Sequence, residues 1–131
     1  MKITVLCLFL ILTTTSAVAA DSFSARVQNA KRIENSAVGK AYQTTLWDHI
    51  GHYGATVMTA CFNNFSSSGT KPFTVVANIL PNRTLSQVEV RPETKIAQCF
   101  INGFKHAPFP APPASFGKSG IPIEIDMSIE P

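Results

Sequence analysis

The alternating segment near the C-terminal end constrains the fold more than any other feature of the sequence. Its apolar side chains recur at every second position, at Ile121, Ile123, Ile125, Met127 and Ile129. The intervening positions are Pro122, Glu124, Asp126, Ser128 and Glu130. Successive side chains of a strand point to opposite faces of a sheet, so the alternation predicts a strand over residues 121–129. One face should pack on a core and the other should meet water.

A longer periodic segment begins after Ser36 and is typical of an amphipathic helix. Its apolar residues recur every three or four positions, at Val38, Tyr42, Leu46, Ile50, Tyr53, Val57 and Cys61. Ser36 fits the N-cap position, where a side-chain oxygen accepts a hydrogen bond from a free backbone N–H. Gly51 and Gly54 each weaken a helix by up to about 1 kcal/mol, which leaves open whether the helix is continuous.

A hairpin and a second helix are predicted between these two segments. Residues 73–80 are rich in β-branched side chains, and residues 84–90 return after a Pro-Asn-Arg turn. Thr94 is the expected N-cap of the second helix. The apolar stripe of that helix consists of Ile96, Cys99, Phe100 and Phe104. The order of elements predicts an α+β domain, with a three-stranded antiparallel sheet packed against two helices.

The remaining segments define the predicted domain boundaries. Residues 21–35 are polar and lack a clear period, so we expect a flexible N-terminal arm before a domain of residues 36–131. The Pro-rich residues 107–113 cannot form a helix and should run extended. We expect them to place Phe109 on the core rather than to bind an aromatic groove. Trp47 lies just off the helical stripe, so it is either the rim of the core or an exposed binding anchor.

The N-terminus has the composition of a cleavable secretory signal. Lys2 supplies a positive charge, an apolar run follows, and Ala17 and Ala19 provide the small residues that a cleavage site needs. The apolar run of residues 3–12 is shorter than the roughly 20 residues of a membrane-spanning helix. We therefore expect removal of residues 1–20 and no membrane insertion afterwards.

Removal of this signal would leave Cys61 and Cys99 as the only cysteines. An even number of cysteines in an exported chain predicts a disulfide formed in an oxidising compartment. The alternative is a reactive or metal-binding thiol pair. We favour the disulfide because the spacing of the two cysteines does not match a CxxC pattern.

Neither charge nor motifs indicate nucleic-acid binding or catalysis. Without Lys2, ten basic residues face eight acidic ones, and the basic residues are scattered rather than interleaved with aromatic residues. Asp48, His49 and His52 are the one cluster of candidate metal ligands or catalytic groups, with both rings on one helix face. A catalytic zinc site needs three protein ligands, and nothing places His106 near this cluster. We expect solvated or interface histidines, no metal, no cofactor and no enzymatic activity.

Several of these features together resemble the C-terminal domain of the TonB/TolA family. They are the hairpin, the short helix with Cys99, the segment Phe109-Pro110-Ala111-Pro112-Pro113 and the closing strand, and the resemblance covers residues 38–131. The cysteine in the short helix, paired with one upstream, is more similar to TolA than to TonB. This family receives a partner on its last strand, which implies a non-catalytic binding module. The binding residues so implied are Ile121, Ile123, Glu124, Ile125, Asp126, Met127 and Ser128.

The sequence also departs from this family. TonB and TolA have a membrane anchor and a long spacer across the periplasm, whereas we expect a cleavable signal and a short arm here. The resemblance thus implies a stand-alone periplasmic protein that recognises an envelope protein or peptide by strand addition. Glu124, Asp126 and Glu130 could select a basic or polar peptide, or could only keep the edge from aggregating. The alternative function is a small periplasmic inhibitor or immunity-type protein that blocks a toxin or enzyme.

Overall fold

The computed structural model describes residues 22–128, which form three α-helices and three strands. In chain order these are α1 (Ser22–Glu34), α2 (Ala37–Phe65), β1 (Phe73–Ile79), β2 (Leu85–Arg91), α3 (Lys95–Phe104) and β3 (Ile121–Met127). The strands form one antiparallel sheet in the order β2-β1-β3. The predicted α+β class with a three-stranded antiparallel sheet is confirmed. The predicted signal of residues 1–20 and the predicted strand position at Ile129 lie outside the described residues.

The hydrophobic core lies between one face of the sheet and the helices α2 and α3. β3 contributes Ile121, Ile123 and Ile125 to this core, all buried, as the alternation predicts. A row of aromatic rings continues the core from β1 to the Pro-rich segment. Ring centroids lie 5.8 Å apart for Phe73 and Phe100, 5.0 Å for Phe100 and Phe104, and 5.3 Å for Phe104 and Phe109.

Both predicted helix caps are confirmed. The Ser36 hydroxyl accepts a hydrogen bond from Gly39 N at 3.1 Å, and the Thr94 hydroxyl accepts one from Ala97 N at 3.1 Å. α2 is continuous through both of its central glycines. Gly54 is buried, and a Cβ there would lie 3.6 Å from the ring of Phe104. Gly54 weakens the isolated helix, but its lack of a side chain lets α2 pack closely against Phe104 of α3.

The Pro-rich segment packs on the core, as expected. Phe109 is buried, and the Tyr42 hydroxyl donates a hydrogen bond to the Pro110 carbonyl oxygen at 2.9 Å. Burial raises the pKa of Tyr42 to about 12. The bond from α2 satisfies a buried carbonyl and holds the segment as it returns from α3 to β3.

The prediction of a flexible arm over residues 21–35 is wrong, because most of this segment forms α1. This helix lies on the face of the sheet opposite α2 and α3, where it contacts β1 and β3. It buries Phe23 and Ala30, and its Ile33 lines a cavity with Val76, a buried residue outside the main core cluster. Phe23, Val27, Ala30 and Ile33 recur every three or four positions on its inner side, so α1 has a short apolar period that the sequence analysis missed among its polar and charged neighbours.

The position of α1 is fixed by a tight junction with α2. The Ser36 N–H donates to the Ile33 carbonyl oxygen at 3.0 Å, which turns the chain between the helices. Gly39 lies directly against this turn, and a Cβ there would collide with the Ile33 carbonyl group. Only glycine permits this approach without a backbone shift, so the end of α1 is held at a defined place beside β3.

Candidate functional site

The outward-facing side of β3 is the candidate binding site implied by the sequence. β3 pairs with β1 from Phe73–Met127 to Ile79–Ile121 and is an edge strand of the sheet. The Glu124 N–H donates to Glu34 Oε1 at 3.2 Å, and therefore points away from β1. Backbone groups alternate in direction along an antiparallel strand, so those of Pro122 and Asp126 point the same way. We call the outward backbone groups of Pro122, Glu124 and Asp126, together with those of Ser128 directly after β3, the open edge.

The first two positions of the open edge, Pro122 and Glu124, have no free N–H to donate to an incoming strand. Pro122 has no N–H to donate, and for this reason prolines within sheets are found mostly on edge strands. The Glu124 N–H is occupied by the Glu34 carboxylate. The second half, at Asp126 and Ser128, lies beyond this cap. Among residues 22–128, nothing caps the Asp126 and Ser128 N–H groups, so a pairing strand would engage the C-terminal end of β3 first.

Contrary to what the alternation predicts, the acidic residues of β3 are not all exposed to solvent. The Glu124 side chain is only 6% exposed, whereas that of Asp126 is 62% exposed. The expectation that Glu124 faces solvent is wrong because α1 covers this part of the sheet. Among the other predicted binding residues, Met127 is half-buried and Ser128 is exposed. Asp126 and Ser128 are thus the exposed side chains among the predicted binding residues.

Lys31 and two carboxylates join α1 to β3. Lys31 Nζ lies 3.4 Å from Asp126 Oδ2 and 3.7 Å from Glu124 Oε1. The Thr74 hydroxyl on β1 donates to Asp126 Oδ1 at 2.6 Å. Glu124 Oε1 is buried and has no hydrogen-bond partner within residues 22–128. One cation therefore faces two neighbouring carboxyl groups, with Glu34 close by as a third.

These contacts shift the pKa values of the carboxyl groups in opposite directions. Burial raises the pKa of Glu124 to about 7, and a hydrogen bond with Asp126 and the charge of Asp126 act in the same direction. The hydrogen bond from Thr74 lowers the pKa of Asp126, and the bond with Glu124 adds to this effect. Burial also raises the pKa of Glu34. Near neutral pH, Glu124 is therefore partly protonated and can donate to the Asp126 carboxylate.

The substitution Glu124→Gln tests this arrangement. The folded protein holds a proton on Glu124 that the unfolded chain releases, so this group makes stability fall as pH rises from about 4.5 to about 7. Glu124→Gln should therefore raise the free energy of unfolding by about 2 kcal/mol at pH 8 and change it little at pH 4.5. Urea unfolding at both pH values measures the difference. Glu89→Gln, which loses partners on Arg26 and Arg91, is the control and should not stabilise at pH 8.

A chain of hydrogen bonds links the open edge to Trp47. The indole N–H donates to Gln43 Oε1 at 2.9 Å, and Gln43 Nε2 donates to Glu34 Oε1 at 3.2 Å. Trp47 is 42% exposed. The sequence left open whether this side chain is core rim or exposed anchor, and the structure places it on the surface, linked to the cap of β3. No sequence motif includes Glu34 or Gln43, so the sequence analysis missed both residues.

The opposite edge of the sheet, on β2, is shaped against pairing. The register shifts between Val76 and Asn78, so β2 contains a bulge, and Gln87 there has φ 51°. Arg26 Nη2 donates to the Gln87 carbonyl oxygen at 2.6 Å, and Arg26 Nη1 lies 3.3 Å from Glu89 Oε2. A bulge and covered backbone groups are common protections of edge strands. β3 is therefore the better candidate edge.

The histidine cluster stays on the surface of α2. Asp48, His49 and His52 are all exposed, and His49 Nδ1 lies 2.8 Å from the Thr45 carbonyl oxygen. Within residues 22–128, no group of three or more His, Cys, Asp or Glu residues could hold a metal ion. His106 is exposed at the end of α3. These side chains have the solvated character that the sequence analysis favoured.

The predicted disulfide is present. Cys61 on α2 and Cys99 on α3 are bonded, with an S–S distance of 1.99 Å and a Cα–Cα distance of 5.7 Å. This bond is compatible with an oxidising compartment. Of the helices between residues 22 and 128, none is both long and apolar enough to cross a membrane.

Comparison of the chain with protein-family models, with curated proteins and with solved structures found no match.

Proposed function

We propose that this protein is a non-catalytic binding module that takes an extended segment of a cell-envelope protein onto the open edge of β3. The observation that carries the proposal is the position of β3 at the edge of the sheet, with outward backbone groups at Asp126 and Ser128 beyond the Glu34 cap. An exposed strand edge is a common docking site for an extended peptide. The resemblance to the TonB/TolA C-terminal domain supports the same strand.

The proposed partner supplies backbone groups to the edge and a basic or polar side chain to the surface beside it. Asp126 is the exposed carboxylate of this region, and the Glu124 carboxyl is buried. Backbone hydrogen bonds would provide most of the affinity, and Asp126 would adjust selectivity and salt dependence. Trp47 could add an aromatic anchor, a residue type that often dominates binding energy at protein interfaces.

We place this function in the bacterial periplasm. The support is the secretory signal predicted for residues 1–20 together with the disulfide between Cys61 and Cys99. Disulfides persist in the periplasm and are rare in the cytosol. An inhibitor or immunity-type protein would have the same location. Capture of an envelope protein would favour the binding module, and capture of a toxin or enzyme would favour the inhibitor.

The substitution Ser128→Pro tests the proposal. Ser128 directly follows β3, and continuation of the strand's alternation by one residue directs its N–H to the open edge, where proline removes it. A preceding residue in the β conformation tolerates proline, so the fold should be kept. In pull-downs from envelope extract, Ser128→Pro should lose a partner that the wild type and Ser128→Ala both retain, as identified by mass spectrometry. Equal recovery of that partner by a folded Ser128→Pro would contradict pairing at this edge.

A further inference from the structure

The cap on Glu124 N–H lies where an incoming strand would have to bind. In an added strand, a backbone carbonyl oxygen would accept from this N–H. In the structure, Glu34 Oε1 accepts from it at 3.2 Å, so a side chain of α1 takes the place of the partner's carbonyl group. The contact joins residues 90 positions apart in the chain and is a tertiary feature.

The cap is held from α2 as well as from α1. Glu34 Oε1 accepts from Gln43 Nε2 at 3.2 Å, and Gln43 Oε1 accepts from the Trp47 indole N–H at 2.9 Å. The Gly39 junction fixes the end of α1 close to α2, which positions Glu34. Three side chains on two helices therefore support one hydrogen bond to the edge.

We infer that Glu34 is an internal competitor for the open edge, and that a partner strand must displace it to pair beyond Asp126 toward Glu124. This inference rests on the proposed function, since it describes how the same edge is regulated. Binding then has two parts: the free groups at Asp126 and Ser128 are engaged first, and the Glu124 N–H becomes available when Glu34 leaves. Displacement also frees Gln43, which changes the surroundings of Trp47.

The test uses an uncharged peptide, because removal of the Glu34 carboxylate would change the affinity for a charged peptide through electrostatics alone. The probe is a blocked peptide of roughly seven residues, the usual length of a strand, that alternates valine and threonine. Methylation of alternate backbone nitrogens leaves it one pairing edge and limits its self-association to dimers, so the peptide is used below the concentration at which it dimerises. Trp47 is the only tryptophan of the chain, so its fluorescence reports on both binding and displacement.

Glu34→Ala should bind this peptide about three- to tenfold more tightly than the wild type, the effect expected for one competing hydrogen bond. Glu34→Gln keeps an oxygen acceptor and should bind like the wild type. Lys31→Ala, one turn earlier, loses its side-chain pairs with Glu124 and Asp126 but keeps the cap, and should also bind like the wild type. Peptide binding should change Trp47 emission in the wild type and change it less in Glu34→Ala.

Two results would overturn the inference in different ways. Equal affinity of the wild type and Glu34→Ala would exclude competition by Glu34 while leaving the edge as the binding site. Lack of binding to both would count against strand addition itself. Amide hydrogen exchange of the wild type gives a check that needs no variant. The Glu124 amide should exchange more slowly than that of Asp126, and equal rates would show that the cap is not maintained.

Discussion

Replacing Cys61 and Cys99 together by alanine should lower the free energy of unfolding by about 3–4 kcal/mol. The disulfide closes a loop between residues 38 positions apart, and chain entropy predicts a stabilisation of this size. Small domains have a total stability of roughly 5–15 kcal/mol, so the loss would be a large fraction of the margin. Urea unfolding of the oxidised wild type and the double variant measures it.

The reduced wild type is the matched control for the disulfide. It lacks the same cross-link but keeps both side chains, so its free energy of unfolding should lie close to that of the double variant. Cys61 is buried, and any further loss in the variant reports the packing of its side chain. A loss below about 1 kcal/mol in both proteins would contradict a stabilising role for this bond.

The substitution Phe104→Ala should be similarly damaging. Phe104 is buried between the rings of Phe100 and Phe109, at centroid distances of 5.0 and 5.3 Å. Its ring also faces Gly54 on α2, where an added Cβ would lie 3.6 Å away, so it joins three segments of the core. Truncation of a buried phenylalanine costs about 3–5 kcal/mol, through lost transfer energy and the cavity left behind.

Thermal or urea unfolding measures this effect, and Lys105→Ala is the neighbouring control. Lys105 follows α3 directly and is exposed, so its truncation should change the free energy of unfolding by less than about 0.5 kcal/mol. If Phe104→Ala unfolded like the control, the aromatic row could not be the centre of the core.

Local signals made most of the fold predictable. Ser36 and Thr94 cap their helices because a short polar side chain followed by apolar periodicity is a local pattern. The alternation that ends the chain located β3 and its buried isoleucines. The disulfide followed from cysteine count and expected export. Each of these inferences uses residues close in sequence or a simple count, and the described structure agrees with them.

The missed features depend on contacts between distant residues. α1 binds the sheet through the buried side chains of Phe23 and Ala30 and through ion pairs such as Lys31 with Asp126, at 3.4 Å. Its few apolar residues stand among polar and charged ones, so the segment was interpreted as a flexible arm. Because α1 was missed, the burial of Glu124 and the Glu34 cap were missed too. Alternation shows that two residues share a face of a strand, but not which other element covers that face.

Amide hydrogen exchange of the complex with the captured partner tests the central claim most directly. If a strand adds to the open edge, the Asp126 and Ser128 amides should become protected on binding, because they point outward. The Ile123 and Ile125 amides already pair with β1 and should change little. Protection confined to β2 around Val88 and Val90, or to the surface of α2, with Asp126 and Ser128 unchanged, would contradict the proposed mode of binding.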